Sequence, residues 1–423
     1  MSAGDLRPTI SAIWRIESPK LIATLSRLLR DVGRAEEVAQ DAFVSALTQW
    51  PDEGIPRNPG AWLMTVAKRR AIDQIRRDET MQRKAETLAH ELAPEVFEEE
   101  FVAGNEGIDD DLLRLMFVAC HPVLSKEARV ALTLKLLGGL TTAEIARAFL
   151  LSEPAIAQRI VRAKRTLAAA RVPFEVPASK DRAARLASVL EAIYLIFNEG
   201  YAASAGEDVL RPGLVEDALR VGRILARLVP DEAEAHGLVA LMEIHASRMR
   251  ARVGPTGDPI LLLEQDRGKW DRLLIGRGLE ALLRAERLGS LGPYGLQAAI
   301  AACHARAATP GDTDWQRIAA LYDALVQLAP TPVVELNRAV AVGMAFGAAA
   351  GLELADRLVR EPSLRSYYLL PSVRADLLFK LGRPAEARAE FERAAALAQN
   401  SRDRALLLAR ANECSAHPST SSG

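Results

Sequence analysis

The sequence predicts an all-α protein of several domains, and three observations carry that prediction. At 423 residues the chain exceeds what one hydrophobic core normally serves. Aromatic residues make up only 5% against 49% hydrophobic overall, with Ala, Leu, Arg and Glu dominant, which favours helix formers over β-branched strand formers. Apolar residues recur at helical spacing, and clusters of proline and glycine interrupt them. Net charge is -1, so affinity for nucleic acid would have to come from segregated basic patches. The three cysteines, Cys120, Cys303 and Cys414, lie far apart and no basic-then-apolar leader opens the chain, so the expected compartment is the reducing cytoplasm. The longest uncharged run, between Arg338 and Glu353, falls short of the roughly 20 apolar residues of a membrane span and reads as a buried helix pair.

The first domain, residues 1–84, is helical from about Ile10 to Ala85 and broken by a Pro-, Gly- and Asn-rich loop at Pro51 to Pro59. Its helix around Arg34 to Trp50 exposes Glu36, Glu37, Gln40 and Asp41 beside an apolar set of Val38, Ala42, Val44 and Leu47. Carboxylates next to an exposed Phe43 suit a protein partner, since DNA would repel them. The following helix starts near Pro59, a good first-turn residue, and continues to Arg77. At about 100° per residue, Leu63, Met64, Ala67, Ala71 and Ile75 fill one arc while Trp62, Arg69, Asp73 and Arg76 fill the other. Either this face holds single-stranded nucleic acid, with arginines on phosphates and an aromatic for stacking, or Trp62 packs on a neighbouring helix and the arginines are merely solvated.

Residues 85–110 read as a linker. Between Lys84 and Arg114 there is no Lys or Arg but there are ten acidic residues. Such a stretch is either a self-repelling spacer or a mimic of nucleic-acid charge that occupies a basic channel on a partner.

Residues 111–172 should form four short helices. The last two carry the most information: LTTAEIARAFLLSEPAIAQRIVRAKRTL, from Leu140 to Leu167. Thr141 and Glu144 make a capping box, Ser152 caps a second helix with Pro154 in its first turn, and Ile156, Ile160 and Leu167 point inward. The outward face is basic, with Gln158, Arg159, Arg162, Lys164 and Arg165. This is the helix-turn-helix arrangement, whose second helix enters the major groove; an ordinary αα-hairpin with a solvated basic face shares the spacing.

After the VPFEVPAS break at Val172 to Ser179, residues 180–414 are again helical, and Ala375 to Leu397 has Leu378, Leu381, Gly382, Ala387, Phe391 and Ala394 at tetratricopeptide spacing. Leu321 to Val342 and Leu219 to Leu241 are of the same kind. A stacked helical interaction domain follows, and a small polar tail, 415–423, should be disordered. No Walker loop, GxSxG or HExxH motif is present, and the Cys-His neighbours lack zinc-ligand spacing, so no catalytic residue, metal or cofactor is expected. Asn198 to Tyr201 either ends a helix at Gly200 or lines a small-molecule pocket.

In their order and spacing, AEEVAQDAF (Ala35 to Phe43), PGAWLMTVAKRRAIDQIRR (Pro59 to Arg77), LTTAEIA and RIVRAKRTL resemble regions 2 and 4 of bacterial RNA polymerase sigma factors of the extracytoplasmic-function (ECF) type. The resemblance covers residues 10 to 170. It implies a sigma region 2 domain, a linker, a sigma region 4 helix-turn-helix domain and, from the C-terminal part, the group that carries a tetratricopeptide-like (TPR-like) extension. It implies core RNA polymerase and promoter DNA as partners, and a protein or small-molecule partner for the extension. Glu37, Gln40, Asp41 and Phe43 match the segment that docks on core polymerase. Asn58, Trp62, Lys68, Arg69, Asp73, Arg76 and Arg77 match the surface for the minus-10 element, with the Trp50 to Asn58 loop holding a flipped base. Thr141, Thr142 and the segment Ser152 to Arg165, including Glu153, Pro154, Ala155, Gln158, Arg159, Arg162, Lys164 and Arg165, match the surface for the minus-35 element. Two departures stand out: Leu150-Leu151 where the turn usually has a glycine, and Ala155-Ile156 where a Thr-Val pair is common. The rival function is a ligand-responsive helix-turn-helix regulator that needs no polymerase.

Overall fold

In a computed structural model the described residues are 6–86, 107–201, 210–255 and 258–416; most of the acidic linker and the end of the tail lie outside them. The fold is all-α, and the one β feature among these residues is an isolated bridge between Val253 and Pro259. The chain divides into two compact units, Met1–Leu195 and Ile196–Gly423.

The first unit opens with α1 (Arg7–Leu29), α2 (Val32–Glu53) and α3 (Pro59–Glu86). Asp31 caps α2 by accepting from the Arg34 N–H at 2.9 Å. The sequence expects a break at Pro51, yet α2 runs on to Glu53. Pro51 forfeits one donor in the last turn, a small loss there, and Gly54 at φ +85° then ends the helix by donating to the Trp50 carbonyl at 3.0 Å. The loop therefore shrinks to residues 54–58, and Trp50, expected at its start, is sealed in the core at 1% exposure.

Helices α4 (Ile108–Ala119), α5 (Lys126–Leu136), α6 (Thr142–Ala148) and α7 (Glu153–Ala169) follow. Asp109, Asp110 and Asp111, the end of the acidic run, form the first turn of α4, where the helix dipole favours negative charge. Gly139, at φ +68°, lets α1 approach so closely that a Cβ there would stand 3.1 Å from the Arg15 Cα and 3.0 Å from the Ser18 Oγ.

Helix α8 (Ser179–Tyr201) begins in the first unit and ends in the second. Its early residues are tied to α4 and α5. Arg185 donates to the Phe117 carbonyl at 2.8 Å, Ser188 donates to the Cys120 carbonyl at 2.6 Å and receives Arg129, and Glu191 pairs with Arg129 at 3.0 Å. The described part of α8 ends at Tyr201, one residue past Gly200. A Cβ at Gly200 would meet the Val215 backbone nitrogen at 2.8 Å, so it is glycine to admit the next helix.

The second unit continues with α9 (Pro212–Leu228), α10 (Ala233–Ala246), α11 (Arg272–Leu288), α12 (Pro293–Arg306), α13 (Trp315–Leu328), α14 (Pro332–Phe346), α15 (Ala348–Arg357), α16 (Leu369–Lys380), α17 (Pro384–Leu397) and α18 (Ser401–Ala416). Successive helices pack as hairpins, as in TPR arrays. In the α16–α17 pair, Leu378, Ala387, Phe391 and Ala394 share one core cluster, and Gly382 at φ +72° makes the turn. Leu381, at tetratricopeptide spacing, is instead 38% exposed because it lies beyond the end of α16. The uncharged run is the α14–α15 pair, where Gly351 sits against Gly343 and the Ala339 carbonyl. Ser415 and Ala416, expected in the tail, close α18.

Candidate nucleic-acid interface

The helix-turn-helix is built as its capping signals dictate. The Thr141 hydroxyl accepts from the Glu144 N–H at 3.1 Å while the Glu144 carboxylate accepts from the Thr141 N–H at 2.8 Å. Burial pushes the Glu144 carboxyl up, but the hydrogen bonds from Thr141 and the Arg15 guanidinium outweigh it and hold the group low. Helix α7 buries Ile156, Ile160, Ala163 and Leu167. It leaves Ser152, Glu153, Pro154, Ala155, Gln158, Arg162 and Arg165 exposed, with Thr142, Arg159 and Lys164 half-buried. The exposed side thus offers an amide and guanidiniums from a convex helix, the donors that read guanine edges and phosphates.

The turn between α6 and α7 stores strain. Leu150, where a glycine is usual, adopts φ +51° and is 57% exposed. A left-handed conformation costs an L-residue about 1–2 kcal/mol, and here no buried side chain compensates. Leu150→Gly is expected to stabilise the four-helix unit by up to about 1 kcal/mol, read as a higher unfolding midpoint with unchanged denaturant slope.

On the first three helices, Glu37, Gln40 and Asp41 are exposed along α2. Phe43, expected to be exposed, is half-buried because its ring stacks on Trp14 of α1 with centroids 4.6 Å apart. Asp41 pairs with Arg70 of α3 at 3.4 Å, and Gln40 donates to Glu36 at 2.7 Å. Along α3, Arg69, Asp73, Arg76 and Arg77 are exposed and Lys68 is half-buried. Trp62 is half-buried and edge-on to Trp50, ring centroids 5.3 Å apart, so one edge packs while part of the ring stays open. Asn58 is exposed and caps α3, its side-chain oxygen accepting from the Ala61 N–H at 3.1 Å.

Sequence reasoning missed how these surfaces meet. The four-helix group is packed against the first three helices within the same unit. Arg27 of α1 pairs with buried Asp111 of α4 at 3.0 Å, and Arg15 of α1 pairs with Glu144 at 2.9 Å. Glu36, at 3% exposure, receives Lys135 of α5 at 3.4 Å and also pairs with Lys164 of α7. Lys164, expected on the basic face of α7, is therefore turned away from it and toward α2. Between the two groups lies a cleft of about 310 Å³ bordered by Arg30, Lys164 and Arg171. Glu36, expected to be exposed, is instead buried, because its partners Lys135 and Lys164 come from more than 90 residues away.

Comparison with known proteins places names on this geometry. Residues 13–80 match Sigma-70 region 2, residues 114–167 match Sigma-70, region 4, and residues 185–286 match a family of unknown function, DUF6596. The ECF RNA polymerase sigma factor SigK of Mycobacterium ulcerans is 31% identical over 30% of this chain and 67% of its own length. The chain belongs to the ECF sigma factors. An uncharacterized protein of Rhizobium meliloti, R00370, is 43% identical over 95% of both chains, so the sigma regions and the extension occur together there as well. Yeast Tom70 gives a TM-score of 0.31 at 12% identity, covering 98% of this chain and 86% of that one, which bears on neither fold nor function. This sigma factor thus acts in transcription initiation, with core polymerase and promoter DNA as its partners, and carries a helical C-terminal extension. No helix among the described residues is long and apolar enough to cross a membrane. Nor do the described residues gather three or more His, Cys, Asp or Glu side chains that could hold a metal. Cys120 is buried against the Thr133 hydroxyl at 3.2 Å, and burial raises its thiol to about 11, an inert setting.

Proposed function

We propose that this sigma factor reads a two-part promoter: α7 contacts the minus-35 element, the exposed face of α3 captures the minus-10 strand, and Glu37, Gln40, Asp41 and Phe43 dock on core polymerase. The observation that carries the reading is the separation of surfaces. Carboxylates line α2, whereas guanidiniums line the solvent sides of α3 and α7. Phosphate contacts would position the complex, and base contacts from α7 would give specificity. No covalent catalysis is required of the chain, and it acts in the cytoplasm, where the polymerase works.

Promoter engagement then requires the unit to open. The two elements are named for positions about 25 base pairs apart, about 85 Å along B-form DNA. A compact unit of this length is only about 40 Å across. The 20 residues from 87 to 106 can reach at most about 70 Å when extended, enough together with the two regions themselves to bridge the gap. The packed arrangement is accordingly the state before promoter binding, and the extension, which follows on from α8 in the chain, modulates it.

The deciding experiment adds the full-length protein, and a version ending after Leu195, to sigma-free core polymerase and measures promoter-dependent transcripts. Failure of both to initiate at any cognate promoter candidate would overturn the reading, and tight duplex binding without polymerase would favour a ligand-responsive regulator. Within this assay, replacing Glu37 and Asp41 together by Ala is expected to weaken core binding about tenfold, measured by competition for core; unchanged affinity rules out this docking surface. Glu37 and Asp41 are preferred to Gln40, whose amide also supports Glu36.

A further inference from the structure

The extension contains a concentration of buried positive charge that the promoter-reading surfaces do not explain. Five side chains alternate as cation and ring. The Arg252 guanidinium lies 3.9 Å from the Tyr201 ring centroid and Arg248 lies 5.9 Å from the same ring. Arg248 lies 5.7 Å from the Trp270 ring, and Arg267 is 5.1 Å from that ring in turn. Arg248 and Arg267 are 8% and 6% exposed, Tyr201 8% and Trp270 3%. His245 meets Tyr201 edge-on at 5.2 Å and is hydrogen-bonded to Arg248.

Direct ion pairs are lacking among the described residues, and Asp312 acts on Arg267 only from beyond ion-pair distance. Among the described residues no carboxylate stands within ion-pair distance of Arg248, Arg252 or Arg267. The buried Glu243 nearby in sequence is committed to Arg223 at 2.7 Å. Arg267 has a structural task, donating to the carbonyls of His304 and Ala307 at 2.8 and 2.6 Å. Arg248 and Arg252 have no such carbonyl anchors, and the Nε of each is buried without a hydrogen-bond partner among the described residues, as are the Tyr201 hydroxyl and the Trp270 Nε1. Cation–π contacts offset only part of the cost of burying an ion that has no counter-ion. A set of neighbouring donors without partners among the described residues, carrying excess positive charge, is complementary to an anion.

We propose that this ladder is the binding site of a small soluble oxyanion, a phosphate- or carboxylate-bearing molecule held by Arg248 and Arg252 with the Tyr201 hydroxyl and the Trp270 N–H as further donors. The neighbouring imidazoles behave as a cationic surround demands. Burial, with Arg248 and Arg252, holds His245 well below its usual range, and burial, with Arg248 and Arg267, pushes His304 down to about 4. Both are therefore neutral near pH 7 and add hydrogen-bonding capacity without more charge. Tyr201, Arg248, Arg252 and Trp270 all lie in residues 185–286, the segment shared with the family of unknown function. The site deepens the reading of the extension as a regulatory module by naming its ligand class, and its binding test does not depend on transcription.

The test is calorimetric titration of the full-length protein with inorganic phosphate, pyrophosphate and citrate at constant ionic strength, with tryptophan fluorescence in parallel. Saturable binding of at least one anion is expected, at one site per chain. Arg252→Gln should weaken it at least tenfold; the Arg252 side chain is half-buried and makes no hydrogen bond among the described residues, so the variant should retain the parent's circular dichroism. Arg248→Gln should act likewise, and Arg159→Ala with Arg162→Ala on α7 should leave binding unchanged. No saturable binding by any of the three anions overturns the proposal, as does undiminished binding by Arg252→Gln and Arg248→Gln. Loss confined to the α7 variant would place the anion on the DNA-reading helix and equally overturn it. Preference among the three anions separates a phosphate from a carboxylate ligand.

Discussion

Replacing Arg159 and Arg162 together by Ala should reduce promoter binding by the polymerase holoenzyme by about 10²-fold or more while leaving assembly with core polymerase unchanged. Both residues belong to the outward side of α7, remote in sequence from the acidic face of α2, and α7 packs through Ile156, Ile160, Ala163 and Leu167, which the substitutions do not touch. A lost base contact costs about 1–3 kcal/mol and a lost phosphate contact lowers the salt dependence of binding by about one unit of slope. Filter binding or fluorescence anisotropy over a salt series distinguishes the two. Parental affinity with a parental salt slope would remove these arginines from the DNA contact, and impaired core binding would mean that α7 has a different task.

The second large effect is expected at Glu36. Its carboxylate is nearly sealed from solvent and holds Lys135 and Lys164, which keep 16% and 21% of their side-chain exposure. Glu36→Lys would bring a third positive charge into this contact. Breaking a buried pair in this way costs about 3–5 kcal/mol, enough to release the helix-turn-helix group from α1 and α2. Hydrogen exchange should accelerate at the faces of α1, α4 and α6 that meet in the packed unit, with helix content retained. Lys164→Glu should loosen the contact too, and the double exchange Glu36→Lys with Lys164→Glu should restore part of the protection. If exchange at these helices is unaltered in both single variants, the ion-pair cluster does not hold the unit closed.

Much of the helix-turn-helix was legible from local chemistry. The capping box at Thr141 and Glu144, the Ser152 cap, Pro154 in the first turn and the inward spacing from Ile156 to Leu167 depend on neighbours within one or two turns, and each is present in the fold. The helix hairpins of the extension were readable for the same reason, since Gly382 and the Leu378, Ala387, Phe391 and Ala394 spacing lie within a single pair. Phe43 was misread as exposed because its cover, Trp14, comes from another helix. The approach of Val215 to Gly200 was not legible, because it is a packing distance between two helices.

The sequence by itself determined an all-α chain, the two sigma regions and the sides of α3 and α7 that carry cations, because these follow from helical periodicity and from caps closed by short-range hydrogen bonds. Tertiary structure alone decided that Glu36 and Lys164 are joined across two regions, that the first part of α8 is held by α4 and α5, and that Arg248, Arg252 and Arg267 stack on Tyr201 and Trp270. The physical reason is burial. A charged residue reads as a solvated surface group in any local pattern, and its meaning changes only when a distant segment removes the water around it.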